Sequence, residues 1–386
     1  MRVVSLFSGI GGLELGFHSK GYSPLLFCEI DPIAQTILKN RFANADHHSD
    51  IKELKSIPEC EVITAGFPCQ DLSQAGGKVG INGHRSGLVH HLFSLLSKLR
   101  KKNRPEWLVI ENVPYMLRLD QGKAMSVLTS QIASLGYRWA YRVVDARSFG
   151  IPQRRHRVLL VASKSEDPGG VLFADNYDEP ELDGKPSEID EAAVYGFYWT
   201  EGSRGVGWAK EGVPPIKCGS TLGIASPPAV WIPSQDYVGT IAIEDAERLQ
   251  GFPEGWTNFL DYGVTAKPSL RWRLVGNAVS TAISTWVSER LIAPGQPQVD
   301  YRPLSNRSSW PNAAYGDANG QWQVMSTRWA SSNRQQKISD FLNMPLSPLS
   351  ARATQGFLKR ARGCTNVVYS PRFLESLEKH TETMSG

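Results

Sequence analysis

A cysteine stands where its type and position could do chemistry. Gly66-Phe67-Pro68-Cys69-Gln70 follows a short apolar run, and Pro68 restricts the backbone so that Cys69 is held at the end of that run. A lone cysteine in a protein is most often inert packing, but a thiolate at a ligand-binding edge is a nucleophile. The placement of Cys69 favours a catalytic cysteine.

A carboxylate and a set of arginines supply complementary chemistry. Glu111 ends another apolar run, in Ile110-Glu111-Asn112-Val113, where burial should raise its pKa and suit it to donate a proton. In the extended stretch 153–157, Gln153, Arg155 and Arg157 share one face, and Arg154 and His156 share the other. Arginines on a ligand-facing side indicate an anion or a polarised carbonyl.

A glycine-rich turn from Phe7 to Gly12 follows the first apolar run and would let a ligand approach the backbone closely. Glu29 ends the second run, 20 residues after Gly9, where folds of this kind place a carboxylate on ribose hydroxyls. A dinucleotide glycine pattern would need glycine where this chain has Glu14. The glycine-rich turn and Glu29 together predict an adenosine-type ligand. The alternative is a tight turn with a surface glutamate.

These residues require a scaffold that places several strand ends together. The first 163 residues alternate β-branched apolar runs with stretches of helical spacing, which predicts an α/β fold with a doubly wound, mainly parallel sheet. Such sheets bind ligands at the carboxyl ends of their strands. The predicted strands are Val3–Phe7, Leu25–Ile30, Val62–Phe67, Trp107–Ile110, Tyr137–Val144 and Val158–Ala162, and the predicted helices are Ile33–Phe42, Leu88–Leu99 and Met125–Leu135.

The alternation stops after Ser163. Residues 164 to about 240 are rich in glycine, proline and acidic residues, which indicates a separate loop-rich module. Helices are predicted at Ile243–Leu249 and Val279–Leu291, the second rejoining the first domain, and another at Ala351–Arg362. The predicted division is 1–163 plus 268–293, then 164–267, then a C-terminal extension at 295–386.

Charge and cysteine content narrow the class of protein. The net charge is +4, but residues 295–386 contain 11 Lys/Arg and 6 Asp/Glu, so the extension holds the positive balance. It is either a solvated basic tail or a contact for phosphate. The five cysteines are widely spaced without a CxxC, which argues for reduced thiols and against a zinc site. Neither a signal peptide nor a transmembrane helix is predicted.

In their order along the chain, these segments resemble the cytosine C5 DNA methyltransferase family. Each motif alone is weak, whereas eight in family order, from Phe7 to about Leu291, are very specific. The segment from about Tyr301 onward is not covered. The motifs are Phe-x-Gly-x-Gly at 7–11, Glu-x-Asp at 29–31, Ser-Asp-Ile at 49–51, Pro-Cys-Gln at 68–70, Glu-Asn-Val at 111–113, Gln-x-Arg-x-Arg at 153–157, Arg-Leu-Gln-Gly-Phe-Pro at 248–253 and Gly-Asn-Ala-Val at 276–279.

The resemblance implies an S-adenosylmethionine-dependent enzyme of prokaryotic or phage type, with no metal. Phe7 would contact the adenine, Glu29 the ribose, and Asn277 the methionine end. Ala278 departs from the serine often seen in that motif, which puts one polar contact in doubt. The cofactor set implied by the family comprises Phe7, Gly9, Ile10, Gly11, Gly12, Glu29, Ile30, Asp50, Ile51, Gly66, Pro68, Leu88, Asn277 and Val279.

The resemblance also implies a reaction. Cys69 would add to C6 of a flipped-out cytosine, Glu111 would share a proton with N3, and Arg157, supported by Arg155, would engage the O2 edge. A mobile loop at about 75–88 would hold the flipped state. The DNA contacts expected there and beside the nucleophile are Gln70, Ser73, Lys78 and Arg85.

The implied partner is double-stranded DNA, with 164–267 as a target-recognition domain whose base-reading part is about 164–240. Arg204, Lys210 and Lys217 could contact DNA there, although each of these residue types is more often a solvated side chain. A cognate restriction endonuclease is a candidate partner, the oligomeric state is undetermined, and the expected location is the bacterial cytoplasm or a phage-infected host.

Three alternatives stay open at this point. An RNA-directed cytosine-5 methyltransferase would share the cofactor and Cys69. A catalytically silent DNA-binding regulator usually loses the nucleophile or a charged partner, whereas this chain keeps Cys69, Glu111, Arg155 and Arg157. A nicotinamide-dependent oxidoreductase is disfavoured by Glu14.

Overall fold

A computed structural model describes residues 1–68, 87–182, 184–201, 205–219, 225–267, 269–305 and 309–386. The predicted nucleophile Cys69 and four predicted DNA contacts, Gln70, Ser73, Lys78 and Arg85, lie outside the described residues, as does Arg204.

One half of the large sheet is parallel and carries the first motifs. Its strands lie side by side in the order β3-β2-β1-β4-β5. The four strands predicted for this region are present with shifted ends, and the short third strand is additional. The strands are β1 (Arg2–Leu6), β2 (Ser23–Cys28), β3 (Asp46–His48), β4 (Val62–Ala65) and β5 (Trp107–Asn112).

The other half of this sheet is antiparallel and includes the C-terminal extension. The order continues β5-β7-β6-β13-β14-β12, with every pair antiparallel. Residues 300–325 therefore lengthen the catalytic sheet, a role not predicted from sequence. The strands are β6 (Arg138–Asp145), β7 (His156–Ser163), β12 (Asp300–Pro303), β13 (Ala313–Asp317) and β14 (Gly320–Met325).

Helices cover both faces of the sheet, which confirms the doubly wound α/β prediction. Alternate strand residues separate two cores: Val4 and Ile63 pack on one face, Val3 and Val62 on the other. The first face is covered by α3 (Leu88–Lys98) and α4 (Lys123–Ser134), and the second by α1 (Gly12–His18), α5 (Pro168–Leu172) and α8 (Thr281–Ile292). At the sheet edge lies α2 (Pro32–Arg41), whose N-cap Asp31 accepts hydrogen bonds from two backbone amides.

A second, smaller sheet forms beyond residue 190. It is antiparallel, in the order β15-β11-β10-β8-β9. Its strands are β8 (Tyr195–Phe197), β9 (Ala209–Lys210), β10 (Ala229–Ile232), β11 (Tyr237–Thr240) and β15 (Ser347–Pro348), and the connecting helices are α6 (Ile243–Leu249), α7 (Leu270–Asn277) and α9 (Ile338–Phe341).

Two C-terminal helices complete the core of the smaller sheet. Phe357 of α10 (Ala351–Arg362) and Phe373 of α11 (Pro371–Thr383) are fully buried in this core, where Phe373 packs against Trp208 and Trp231 and Phe357 packs against Phe197. The indole Nε1 of Trp231 also donates to Ser376 Oγ at 2.8 Å. The segment 295–386 thus contributes strands to the large sheet and helices to the small one.

Several positively charged side chains of this extension form ion pairs with acidic residues elsewhere in the protein. Arg328 pairs with Glu179 at 2.6 Å, and Lys379 pairs with Asp236 at 3.0 Å. Arg372 pairs with Glu191 at 2.8 Å and also with Asp236. These contacts account for part of the positive balance without phosphate, whereas Arg352 and Lys359 of α10 are exposed to solvent.

Across the described ranges, no helix combines the length and the apolar character needed to cross a membrane.

Candidate active site

A cleft of about 670 Å³ opens at the carboxyl ends of β1, β2, β4 and β5. This is where a doubly wound sheet is expected to bind a ligand. It is bordered by the glycine-rich turn, by Glu29, by Glu111 and by the 276–279 segment. The structure therefore brings together motifs that lie as much as 272 residues apart in the sequence, as Phe7 and Val279 do.

The glycine-rich turn exposes backbone to the cleft. Gly9 has a φ of +55°, and a Cβ added there would meet nothing within 4 Å. Phe7 also has a positive φ of 58°, which is uncommon for a residue with a side chain and marks a constrained position. Its ring packs edge-to-face on Phe67, with the centroids 5.9 Å apart. The turn is thus held open to a ligand by contacts beneath it.

Glu29 is tied to this turn. Its Oε2 accepts a hydrogen bond from the backbone amide of Gly9 at 2.7 Å, and its Oε1 accepts from the amide of Asp31 at 2.8 Å. Burial raises the pKa of Glu29, and these backbone donors partly offset the shift. Each carboxylate oxygen keeps a further lone pair for a ligand hydroxyl.

Apolar side chains line the rest of this end of the cleft. Ile30 is 68% exposed although it is a large aliphatic residue, whereas Ile51 is buried. Gly11 is the one residue of the predicted cofactor set that does not border the cleft, because it faces Phe42 and Leu38. The other members all border it: Phe7, Gly9, Ile10, Gly12, Glu29, Ile30, Asp50, Ile51, Gly66, Pro68, Leu88, Asn277 and Val279.

Glu111 and Arg157 form an ion pair in the wall of the cleft. The Nε atom of Arg157 lies 2.7 Å from Oε1 of Glu111, and both side chains are nearly buried. Burial raises the pKa of Glu111, and the positive charges of Arg157 and Arg155 only partly oppose the shift. The direction agrees with the sequence expectation for a carboxyl group that donates a proton.

Arg155 joins β7 to the 276–279 segment. Its Nη2 donates to the carbonyl of Ala278 at 2.6 Å and of Gly276 at 3.3 Å, and its side chain is 1% exposed. Burial lowers the pKa of Arg155 to about 9, so the guanidinium stays charged at neutral pH. Arg155 therefore positions the segment that carries Asn277 and Val279.

Asn112 is a positioning residue that sequence reasoning quoted in a motif but gave no role. Its Nδ2 donates to the carbonyl of Phe67 at 2.9 Å, and its Oδ1 accepts from the amide of Val113 at 2.9 Å. The segment that leads into Cys69 is thereby fastened to the strand that carries Glu111.

The opposite face of the 153–157 stretch has a different function. His156 Nε2 lies 2.9 Å from Asp145 Oδ2, and Arg147 Nη2 donates to the same oxygen at 2.7 Å. Burial alone would raise the pKa of Asp145, but the bonds from His156 and Arg147 bring it to about 2. This cluster anchors the ends of β6 and β7 outside the cleft.

Segment 213–219 reaches the cleft from the side of the small sheet. The amide of Arg154 donates to the carbonyl of Val213 at 2.9 Å, and the amide of Ile216 donates to Gln153 Oε1 at 3.3 Å. Pro215, Ile216 and Cys218 border the cleft, a role that sequence reasoning missed because nothing local to them signals it.

The predicted DNA-contacting lysines are paired within the protein. Lys217 Nζ lies 2.7 Å from Glu201 Oε1 and 3.6 Å from the centroid of the Tyr198 ring. Lys210 Nζ lies 2.9 Å from Asp190 Oδ2. Their contact with DNA remains a prediction.

Among the described residues, no group of His, Cys, Asp and Glu side chains is arranged to hold a metal ion.

Several known proteins are similar in sequence to this chain. A family model for C-5 cytosine-specific DNA methylase matches residues 1–193. Type II methyltransferase M2.BsuMI of Bacillus subtilis (strain 168) is 58% identical over 380 residues, which is 98% of either chain. The chain belongs to the C-5 cytosine-specific DNA methylase family.

This methylase has more distant relatives as well. Type II methyltransferase M.BsuFI of Bacillus subtilis is 35% identical, over 76% of this chain and 73% of the relative. The crystal structure of S. pombe Dnmt2 methyltransferase superposes with a TM-score of 0.54 at 18% identity, over 76% of this chain and 98% of that one, which supports the fold.

Family membership assigns the activity. This methylase is an enzyme that methylates carbon 5 of cytosine in DNA. The predicted family and activity are confirmed, in preference to the RNA-directed, silent and oxidoreductase alternatives.

Proposed function

We propose that this methylase binds S-adenosylmethionine and a flipped-out cytosine in one cleft, with Cys69 as the nucleophile. The observation that carries the proposal is the Glu111–Arg157 pair, which borders the same cleft as the glycine-rich turn. A protonated carboxyl and a guanidinium match the N3 and O2 atoms on one edge of cytosine.

The cleft residues fit S-adenosylmethionine. The volume lies in the range of small-molecule sites, Gly9 leaves the backbone open to a ligand, and Glu29 retains acceptors for ribose hydroxyls. Exposed Ile30 and buried Ile51 would flank the adenine ring, Asp50 would accept from its amino group, and Asn277 and Val279 would adjoin the methionine end. When bound, the cofactor supplies the methyl group that C5 of cytosine takes up.

The catalytic residues make C5 of cytosine reactive and return to their starting state at the end of the reaction. The Cys69 thiolate forms a bond to C6, while Glu111 holds a proton at N3 and Arg157, supported by Arg155, contacts O2. After C5 is methylated, its proton passes to solvent, the C5–C6 double bond re-forms, and the bond between Cys69 and C6 breaks, which regenerates the thiolate. C6 is shielded in a stacked duplex, so the cytosine must leave the helix.

We also propose that 164–267 reads the target sequence in duplex DNA. Support comes from the separate core of the small sheet and from segment 213–219, which places this module beside the cleft. The extension, 295–386, would stabilise both parts. A restriction endonuclease is proposed as a functional partner because M2.BsuMI and M.BsuFI are named Type II methyltransferases; we place the enzyme with its DNA in the cytoplasm.

Expression in a heterologous host followed by bisulfite sequencing tests the activity and reveals the target sequence. Purified protein should also be trapped covalently by target DNA containing 5-fluorocytosine, whose fluorine cannot leave as a proton does. Cys69→Ser should lose both trapping and methyl transfer yet still bind S-adenosylmethionine in calorimetry. Full activity of Cys69→Ser would eliminate the proposed nucleophile.

A further inference from the structure

Cys218 and Asn277 meet at the edge of the cleft, although they reach it from different parts of the structure. Cys218 lies in segment 213–219, on the side of the small sheet, and Asn277 lies in the 276–279 segment, which Arg155 fastens to β7. The Sγ atom of Cys218 donates a hydrogen bond to Oδ1 of Asn277, and both residues border the cleft. The reaction described above does not use this thiol.

The backbone on each side of this contact is held in place. On one side, the hydroxyl of Tyr198 donates to the carbonyl of Pro215 at 2.6 Å. Between the two sides, a Cβ added at Gly276 would lie 2.6 Å from the backbone nitrogen of Cys218, so the main chains of α7 and segment 213–219 are in close contact. The hydrogen bond therefore joins two side chains whose positions are set by their surroundings.

The thiol determines which end of the Asn277 carboxamide faces the cleft. Partial burial raises the pKa of Cys218, and the positive charges of Arg155 and Arg157 oppose this shift only in part, so the sulfur keeps its proton at neutral pH. A protonated thiol is a donor, and Oδ1 is the acceptor end of the carboxamide. The Nδ2 group of Asn277 donates to none of the residues that the structure describes, and its two N–H groups are left for a ligand.

Donors at this place suit a carboxylate. The guanidinium groups of Arg155, Arg157 and Arg273 all act on the Cys218 thiol, so this part of the cleft has a positive potential. In the proposed function, Asn277 adjoins the methionine end of S-adenosylmethionine, which carries a carboxylate and an ammonium group. Amide N–H groups complement the carboxylate, whereas a carboxamide turned the other way would present an oxygen and repel it.

We infer that Cys218 is a positioning residue for the cofactor, because its thiol turns the amide donors of Asn277 toward the carboxylate of S-adenosylmethionine. The inference rests on the proposed function, since it requires that this cofactor bind in the cleft. Cys218 belongs to the part of the chain proposed to read DNA. That part would therefore contribute to cofactor binding as well.

Titration calorimetry with two ligands tests the inference: S-adenosylmethionine, and methylthioadenosine, which keeps the adenosine and the sulfur but lacks the amino-acid group. Cys218→Ala should bind S-adenosylmethionine about fivefold more weakly, the usual effect of losing one hydrogen bond, and should bind methylthioadenosine as wild type does. Cys218→Ser keeps a donor for Asn277 and should restore the affinity for S-adenosylmethionine. Cys364→Ala is the matched control, because this cysteine packs on the core of the small sheet and does not border the cleft.

A double-mutant cycle separates positioning from general structural support. If Cys218 acts through Asn277, adding Cys218→Ala to Asn277→Ala should not weaken the binding of S-adenosylmethionine any further. Asn277→Asp keeps an acceptor for the thiol but replaces the amide donors with a charged oxygen. It should weaken the binding of S-adenosylmethionine far more than that of methylthioadenosine, and it decides the matter if Cys218→Ala does not fold.

The possible results distinguish this inference from the proposed function. If wild type binds neither ligand, the proposed cofactor is wrong. If wild type binds S-adenosylmethionine, the inference is overturned when Cys218→Ala keeps the wild-type affinity, when Cys218→Ser loses as much affinity as Cys218→Ala, or when the losses in the cycle are additive. Equal losses for the two ligands in Cys218→Ala or Asn277→Asp would overturn it as well, and in each of these cases the proposed function stands.

Discussion

The Nε atom of Arg157 lies 2.7 Å from Oε1 of Glu111, although the two residues come from different strands, β7 and β5. Burial raises the pKa of Glu111 while the guanidinium opposes that shift. Protonation of Glu111 and the positive charge of Arg157 are therefore energetically linked.

Glu111→Gln should abolish proton donation by the carboxyl while preserving side-chain size. We expect methyl transfer in single-turnover assays to slow by roughly 10²- to 10⁴-fold, the usual contribution of a general acid. Calorimetry should show unchanged binding of S-adenosylmethionine. Glu106→Gln, outside the cleft, serves as control. A single-turnover rate of Glu111→Gln within about twofold of wild type would remove Glu111 from the mechanism.

Glu29→Gln tests the ribose contact while it keeps the size of the side chain and one of the two oxygen acceptors that organise the turn. Gly9 and Asp31 both donate to the carboxylate, so loss of its charge should weaken the acceptors for a ribose hydroxyl. We expect S-adenosylmethionine to bind about 1.5–3 kcal/mol more weakly. The affinity of Asp46→Asn, an exposed strand residue, should match wild type. Unaltered calorimetric affinity of Glu29→Gln would contradict the assignment.

Asp145→Asn should reduce the free energy of unfolding in a pH-dependent way. The pKa of Asp145 is about 2 in the folded protein, below the value of about 3.9 for an unfolded chain, so its contribution is present above about pH 4 and is lost as the pH falls toward 2. In urea unfolding at pH 7 and at pH 5, the free energy of unfolding of Asp145→Asn should be lower than that of wild type by a similar amount, about 2 kcal/mol. This difference should become smaller below pH 4. Exposed Asp300→Asn is the control; a deficit that widens on acidification would refute the argument.

Gly276→Ala should disturb the contact between the small-sheet module and the cleft. A Cβ there would lie 2.6 Å from the backbone of both Lys217 and Cys218, so segment 213–219 must move. We expect destabilisation of about 1–3 kcal/mol together with reduced methyl transfer. Gly356→Ala, inside α10 and near only the flexible end of Arg360, should be neutral or mildly stabilising. If Gly276→Ala keeps the wild-type unfolding midpoint and the wild-type rate of methyl transfer, the close approach of Gly276 to segment 213–219 has no role.

Phe373→Ala should unfold or loosen the small-sheet module. Its ring is fully buried, with centroids 5.1 Å from Trp208 and 4.8 Å from Trp231. Truncation of such a side chain costs about 3–5 kcal/mol. Chemical denaturation followed by tryptophan fluorescence measures the loss, with Val368→Ala, which is 74% exposed, as control. Equal midpoints for the two variants would mean that α11 does not stabilise this core.

Many of the strands and helices could be predicted because each is specified by the residues of its own short segment. Short apolar runs rich in β-branched residues predicted β1, β2, β4, β5 and β7, and the segment Ala351–Arg362 was predicted as a helix with the observed bounds of α10. The segment predicted as a helix from Val279 begins at Thr281 instead, because the preceding residues connect it to α7.

Other elements were missed because their apolar residues find partners only far along the chain. Strand β13 pairs with β6 across about 170 residues, and α11 buries Phe373 against a sheet whose strands begin near residue 195. Strand β13 has no strong pattern of its own, since it fills one side of a core built largely by other segments. Helix α11 does have local signals that the sequence prediction did not use: Ser370 caps it, Pro371 opens it, and its buried residues recur at helical spacing.

The sequence by itself determined the family and the reaction, and 13 of the 14 residues that it assigned to the cofactor border the cleft, because those motifs are short and the chemistry needs particular side chains at strand ends. Only the tertiary structure decided that Arg157 pairs with Glu111, that Pro215 and Cys218 reach the cleft, and that 295–386 belongs to both sheets. The physical reason is that burial, charge pairing and close backbone approach depend on which distant segments pack together, and the local pattern of residues does not specify those partners.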